Sequence, residues 1–393
     1  MNHIKTIFIT FILFSIAYSA SSQRLLTEDE AVFKAIKNSK NANAAILNVE
    51  QQKQLQKSAI NIPNPELTWQ SPSGAFYVGG VTQSFEFPTI YGKQYQLQKQ
   101  KLGLAETQKV ANDVVVAYQV RSLYLNVQYA DSLKSLLFIQ DTIYSKLALS
   151  AQRLFDAGQI DYLQKSFTET QYGEIHNQYE QSKINQQSLI NQLKFIADIS
   201  DEIEFSPLKS IINTSLQESN INQNTDFLIA KQTEMLAQKN LEIERNKALP
   251  GIVLGYMNQA ERTTPTNLRF QFGLSVPLWF WQYKGNIDAA KTDIKINQEK
   301  TLGVQQELNM QLLQIQNELA QNTQALNYYE QTGLRKAGEI INTSQRFLNS
   351  GETDYINFLR NINDAYAIKM KYLEAIRNVN QSTISLNYLT GKQ

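Results

Sequence analysis

Side chains able to do covalent or metal chemistry are scarce in this chain. Cysteine is absent, which removes disulfides, thiolate metal sites and thiol nucleophiles together. Beyond the first few residues, His176 is the sole histidine. It sits in a Gln- and Tyr-rich helical stretch, and a metal site needs several converging ligands. The sequence has no phosphate-binding Gly loop, no metal-ligand spacing and no nucleophile elbow. Carboxylates come close to one another, as they do on any polar helical surface. No catalytic residue, no cofactor and no metal are therefore expected, and the chain does not read as an enzyme. A net charge of +1 leaves no footprint for nucleic acid.

One charged and polar constellation does stand out, because it occurs twice. Gln152, Arg153, Gly158, Asp161 and Tyr162 reappear in the same order and spacing as Gln345, Arg346, Gly351, Asp354 and Tyr355. A second pair of marks precedes each copy. Phe87-Pro88 runs on to Gly92-Lys93, and Val276-Pro277 runs on to Lys284-Gly285. The interval from Gly92 to Gly158 equals that from Gly285 to Gly351. Matched marks at equal spacing point to an internal duplication.

The elements that position these motifs follow from the prolines, which cost about 3 kcal/mol inside a helix. They fall at Pro63, Pro65, Pro72 and Pro88, at Pro250, Pro265 and Pro277, and alone at Pro207. The intervals 89–206 and 278–393 are free to be helical. Within the first, Val116, Val120, Leu123, Val127 and Ala130 step by four and three, a seam for another helix. Between the prolines the period changes to two. Leu268, Phe270, Phe272, Leu274 and Val276 alternate with Arg269, Gln271, Gly273 and Ser275, with a shorter run at Ile252, Leu254 and Tyr256. In the first zone Leu67 and Trp69, then Val81, Phe85 and Phe87, share one parity, with Gln83 interrupting. Each zone reads as two strands, joined by polar turns near 71–75 and 259–266.

The start of the chain reads as a secretory signal, residues 1–22. Lys5 is followed by an apolar Ile7–Ala17 and by Ser19, Ala20, Ser21 and Ser22. That apolar run is short of the roughly 20 residues a membrane span needs. No later run reaches that length, so the mature chain is soluble, peripheral or a β-barrel. Without cysteine it is not lipid-anchored.

The expected organisation is mostly α with a small β part, as a tandem helix–strand–strand–helix–helix repeat. Residues 23–200 form the first repeat, with strands about 65–88 and long helices about 93–158 and 160–200. An insert covers 201–222. Residues 223–393 form the second repeat, with strands about 250–277 and helices about 286–350 and 353–388. A capping box, Thr27 with Glu30, opens the first helix. The longest helices would reach roughly 100 Å at about 1.5 Å per residue. Four strands are too few to close a barrel, and an open sheet exposes its edges. Three identical chains would remove those edges.

Together the signal, the duplicated plan, Asn64-Pro65-Glu66-Leu67, Val276-Pro277-Leu278 and the two Arg-x4-Gly turns resemble the TolC-type outer membrane factors. The resemblance spans essentially the whole mature chain. It implies a homotrimer with a twelve-stranded outer-membrane β-barrel, set among outer membrane lipids and continued by a long periplasmic α-helical barrel. The insert becomes an equatorial domain. It further implies a passive exit duct of a tripartite efflux pump, served by a periplasmic adaptor (membrane fusion protein) and an inner-membrane transporter of the RND type. Arg153, Leu154, Gly158, Gln159, Arg346, Phe347, Gly351 and Glu352 become adaptor contacts at the periplasmic turns. Family members often carry an acidic residue six positions after the second glycine. Here Asn357 stands in that place and Gln164 in the first repeat, so Asp161 and Asp354 join Asn357 as entrance-gate candidates. Tyr91, Trp279, Phe280, Trp281 and Tyr283 fit an aromatic belt at the membrane interface. The Phe87–Gly92 stretch leans toward the heavy-metal-cation branch. The competing reading is an exported coiled-coil or fibre-like protein without a channel.

Overall fold

A computed structural model describes residues 24–71, 74, 77–211, 220–258 and 265–392. The signal at 1–22, most of the two polar turns, and 212–219 of the insert lie outside the described residues. Two very long helices dominate. α1 (Glu28–Asn38) and α2 (Lys40–Lys57) lead into β2 (Glu66–Gln70) and β3 (Val78–Phe85), after a short β1 (Arg24–Leu26). α3 (Thr89–Asp156) and α4 (Tyr162–Ala197) follow, then β4 (Ile203–Phe205). α5 (Thr225–Lys247), β5 (Gly251–Met257) and β6 (Phe270–Ser275) come next. α6 (Phe280–Tyr328) passes through a π turn (Tyr329–Gly333) into α7 (Leu334–Ser350), and α8 (Tyr355–Thr390) closes the chain.

The four long strands form one antiparallel sheet in the order β2-β3-β5-β6. Its register segregates the side chains by face. Leu67, Val81, Tyr256 and Phe270 form one cross-strand row; Phe85, Ile252 and Leu274 form another. Between them lie Gln83, Leu254 and Phe272. Gln83 is the polar exception, and its amide donates to the carbonyls of Pro63 (2.6 Å) and Ser84 (2.9 Å). On the opposite face run Glu66, Thr82, Gly255 and Gln271, then Ser84, Val253 and Gly273. The apolar face is open: Leu67 is 82% exposed, and Phe270 and Phe272 are 71%. Neither β2 nor β6 has a second neighbour among the described residues.

Below the sheet the helices lie side by side. In the upper half α2, α3, α5 and α6 are neighbours in that order; in the lower half α4, α3, α8 and α7 are. The predicted seam on α3 is real. Val120, Val127 and Ala130 are buried, and Val120, Tyr124 and Val127 pack with Ala31, Val32, Ala35 and Leu193 of α1 and α4. No helix among the described residues is long and apolar enough to cross a membrane.

Several sequence expectations need correction. The run from Leu268 is not all strand: Thr266–Arg269 is a 3-10 turn behind Pro265, whose fixed φ of -57° sets up a turn, and β6 starts at Phe270. The first helix is two, because Ser39 is extended and its side chain caps α2, accepting from Ala42 N–H at 3.2 Å. Thr27 caps that first helix as expected, accepting from Glu30 N–H at 3.2 Å. The Glu30 carboxylate pairs with Lys34 at 3.3 Å. The helix expected at about 286–350 begins at Phe280 and is interrupted by the π turn.

The parallel pairing of β1 with β4 was not foreseen. Tyr124, buried on α3, donates its hydroxyl to the Leu26 carbonyl at 2.7 Å and lies 3.1 Å from Ser206 Oγ, tying both strands to the same helix. Tyr124→Phe leaves the Leu26 carbonyl buried without that donor. It is expected to cost about 1–2 kcal/mol, read as a lower denaturation midpoint by circular dichroism; an unchanged midpoint would show that the hydroxyl pins nothing.

Candidate functional site

The two glycine turns are built alike. After α3, Gly158 adopts φ 68° and after α7, Gly351 adopts φ 77°, both left-handed. The N–H of Gln159 donates to Leu154 (2.8 Å) and that of Gly158 to Phe155 (2.9 Å); Glu352 and Gly351 repeat this on Phe347 (2.9 Å) and Leu348 (3.2 Å). These paired bonds satisfy the last carbonyls of each helix, and a residue without Cβ is the natural occupant of such a cap. Nothing lies within 4 Å of a Cβ placed on either glycine, so their constraint is backbone conformation alone.

The aspartates begin the returning helices. Asp161 accepts the Gln164 N–H at 2.8 Å, and Asp354 accepts the Asn357 N–H at 2.8 Å. Asn357 also donates its side-chain amide to Asp354 at 3.0 Å. All three gate candidates are exposed, but each aspartate is engaged as an N-cap. Among the adaptor-contact candidates, Arg153, Gln159, Arg346, Phe347 and Glu352 are exposed and Leu154 is half-buried. The Glu352 carboxylate accepts from Ser350 at 2.8 Å.

Both turns lie at one end of the molecule. Tyr144 and Ile175 from α3 and α4 are buried against Phe358, Leu359, Ile362 and Tyr366 of α8. At the centre of this cluster the Tyr144 hydroxyl donates to Asn363 Oδ1 at 2.7 Å. Gln140 donates to the same oxygen at 3.3 Å, and Asn363 donates on to Gln171 at 2.8 Å. Burial pushes the Tyr144 phenol well above its usual range, so it stays a neutral donor. Sequence reading missed this network, since its amides look like their neighbours in helices full of Gln and Asn. His176 donates to or accepts from Asp141 across α3 and α4 at 3.0 Å and is half open to solvent.

The aromatic candidates sit at the opposite end, at the junction of strands and helices. Trp279 and Trp281 pack at 5.2 Å and Phe280 and Trp281 at 5.5 Å, all exposed. Phe280, Trp281 and Tyr283 belong to the first turn of α6. Tyr91 is half-buried, its hydroxyl accepting from the Glu86 N–H at 3.1 Å. Among the described residues no group of three or more His, Cys, Asp or Glu could hold a metal ion.

Comparison with known proteins agrees with this architecture. Residues 216–392 match the family of outer membrane efflux proteins. The fold is that of the outer membrane protein VceC from Vibrio cholerae (TM-score 0.76, 11% identity, 93% of this chain and 96% of that one). It is also that of the outer-membrane channel OprN (TM-score 0.78, 10% identity, 93% and 90% covered). The open state of the MtrE outer membrane channel from Neisseria gonorrhoeae is similar too (TM-score 0.71, 14% identity, 93% and 88% covered). No curated protein matches the sequence significantly.

Gly351→Ala is expected to cost about 1–2 kcal/mol, the penalty of a left-handed residue with a Cβ, and Asp354→Ala about 0.5–2 kcal/mol for the lost cap. Hydrogen exchange of the 347–358 amides should speed up in both variants; protection equal to the parent chain would show that neither feature holds the turn.

Proposed function

Taking residues 216–392 as an outer membrane efflux protein domain, on a chain with the fold of the TolC-type channels, we propose that three copies form the outer-membrane exit duct of a tripartite efflux pump. The observation that carries this is the sheet. One face is apolar and exposed apart from Gln83, the other is mostly Glu, Gln, Ser, Thr and Gly with Val78, Val253 and Met257 among them, and neither edge is paired among the described residues. In lipid an unpaired strand edge costs several kcal/mol per group, so a spanning sheet must close. Closure by further copies puts the apolar rows toward lipid and the polar rows around a lumen. The competing coiled-coil reading accounts for the helices but gives those faces no purpose.

In this arrangement the exposed Trp279, Phe280 and Trp281, with Tyr283 and Tyr91, lie at the periplasmic edge of the membrane, where amphipathic rings favour the headgroup level. The glycine turns form the far tip. There Arg153, Leu154, Gly158, Gln159, Arg346, Phe347, Gly351 and Glu352 meet a periplasmic adaptor, which links the duct to an inner-membrane transporter of the RND type. The cargo is passively conducted, and heavy-metal cations are the class we put first. Asp354 and Asp161, brought together by symmetry with Asn357 beside them, supply a negative ring at the entrance that attracts cations.

Two measurements test this reading. Phe272→Arg places a charge on the lipid face, at a cost of about 2–4 kcal/mol near the membrane midplane, whereas Gln271→Arg points into the lumen. Heat-modifiable trimers in the outer-membrane fraction should fall sharply for the first and persist for the second; equal tolerance of both would overturn the barrel. In planar bilayers Asp354→Ala should weaken cation preference, and unchanged selectivity and cation block would remove Asp354 from the entrance.

A further inference from the structure

A cavity of about 340 Å³ lies where the strands give way to helices, a volume that admits a small organic ligand. Its strand residues Ser84, Val253 and Ser275 belong to the polar face of the sheet. Asn246 and Lys247 line it from the end of α5. Two aromatic rings complete the wall: Trp279, which precedes α6, and Tyr283 in the first turn of that helix.

Among the described residues only Glu86 and Lys247 bring charge to this wall. The Lys247 ammonium is answered within α5, where the Glu244 carboxylate lies 2.7 Å away. Glu86 has no such answer. Its Oε2 is buried and has no hydrogen-bond partner among the described residues. Nor does the carboxylate serve the start of α3, which carries no side-chain cap. The backbone N–H of Glu86 goes instead to the Tyr91 hydroxyl at 3.1 Å. The last turn of α5 and the first turn of α6 contribute end charges of opposite sign, so Glu86 sets the preference of the cavity. A carboxylate oxygen taken from water without a donor is costly, and a donor that also carries positive charge answers it best.

We propose that this cavity binds an organic ammonium ion, with its N–H on Glu86 Oε2 and its apolar body against Trp279 and Tyr283. Both rings attract a cation held near their faces, Trp279 the more strongly. A bare divalent metal fits the donor set poorly, since it needs several converging ligands and the wall offers a single carboxylate. The site itself rests on the fold of one chain. Its place on the wall of a duct rests on the assembly proposed above, in which the polar face of the sheet surrounds the lumen.

Benzylammonium and its uncharged counterpart benzyl alcohol separate charge from shape. Titrated by ligand-observed NMR into the detergent-purified protein, with empty micelles as the blank, benzylammonium should bind saturably and the alcohol at least about tenfold more weakly. Glu86→Gln should weaken benzylammonium by about tenfold or more, and Trp279→Leu by about threefold or more. Ser84→Lys keeps Glu86 and hangs a tethered ammonium on the same face of the strand, so it should abolish binding. If Glu86→Gln no longer sediments like the parent chain, Ser84→Lys decides alone. Equal affinity for the amine and the alcohol overturns the proposal, as does undiminished binding in Ser84→Lys. Phosphatidylethanolamine added to the micelles should leave the affinity unchanged; competition by that lipid would assign the cavity to a headgroup and overturn its place on the lumen. Saturable binding by a protein that opens no conductance in planar bilayers would keep the site and sink the duct.

Discussion

Backbone hydrogen bonding at the edges of the sheet constrains everything else in this molecule. Among the described residues β2 and β6 each pair on one side only, and both carry large apolar side chains on the face that also lacks cover. Water can satisfy such edges; hydrocarbon cannot. A chain that offers Leu67, Trp69, Phe270, Phe272 and Leu274 to its surroundings is therefore shaped for lipid on that face and for more strands at both ends. The alternation in Glu66–Gln70 and Phe270–Ser275 is thus a statement about assembly as well as about local conformation. Glycines on the polar face, at Gly255 and Gly273, keep that side shallow.

Length follows from the same constraint. In the proposed assembly, strands closed in the membrane fix four strand ends at its periplasmic edge, and α3 and α6 leave from two of them through Pro88 and Pro277. Most of the stability of such helices comes from packing against lateral partners along their run. The seams differ in character. The upper contact of α3 with α1 and α4 is built from Val120, Val127, Ala31, Val32 and Leu193. Lower down, the contact of α3 with α8 turns polar, through Gln140, Tyr144 and Asn363. Buried amides and a phenol fix a register that interchangeable leucines would leave loose.

Much of this was legible in the residues because it rests on period and punctuation. Two-residue alternation found the sheet, proline spacing found the long helices, and the recurrent glycines found both turns. What escaped has no such signature. β1 and β4 are too short to show a period and are held by the Tyr124 hydroxyl, a contact across 98 residues of sequence. Ser39 breaks a helix that proline does not, by capping its successor. Leu268 keeps parity with β6 yet lies in a turn, since Pro265 acts through the backbone and leaves the hydropathy pattern untouched. The aspartates near the turns were legible as charges, while their capping bonds depend on extended backbone at Asp161 and Asp354.

The π turn shows how one local irregularity reshapes a distant surface. The buried ladder of α6 descends through Leu312, Leu319 and Leu326 in steps of seven, and Gly333 continues it. Continued further, the same step would bury Ile340 and Phe347. The buried positions of α7 are instead Ala337 and Ser344, a shift of four that acts as a stutter in the packing. Gly333 permits the change: a Cβ there would lie 2.9 Å from the Tyr329 ring. Phe347, released from the ladder, is 45% exposed one turn from the Gly351 cap. α3 has no such break, and its own ladder runs through Leu137, Tyr144 and Ala151 to the turn. The two tips therefore share a backbone and differ in surface, and the difference originates some twenty residues away, at the π turn.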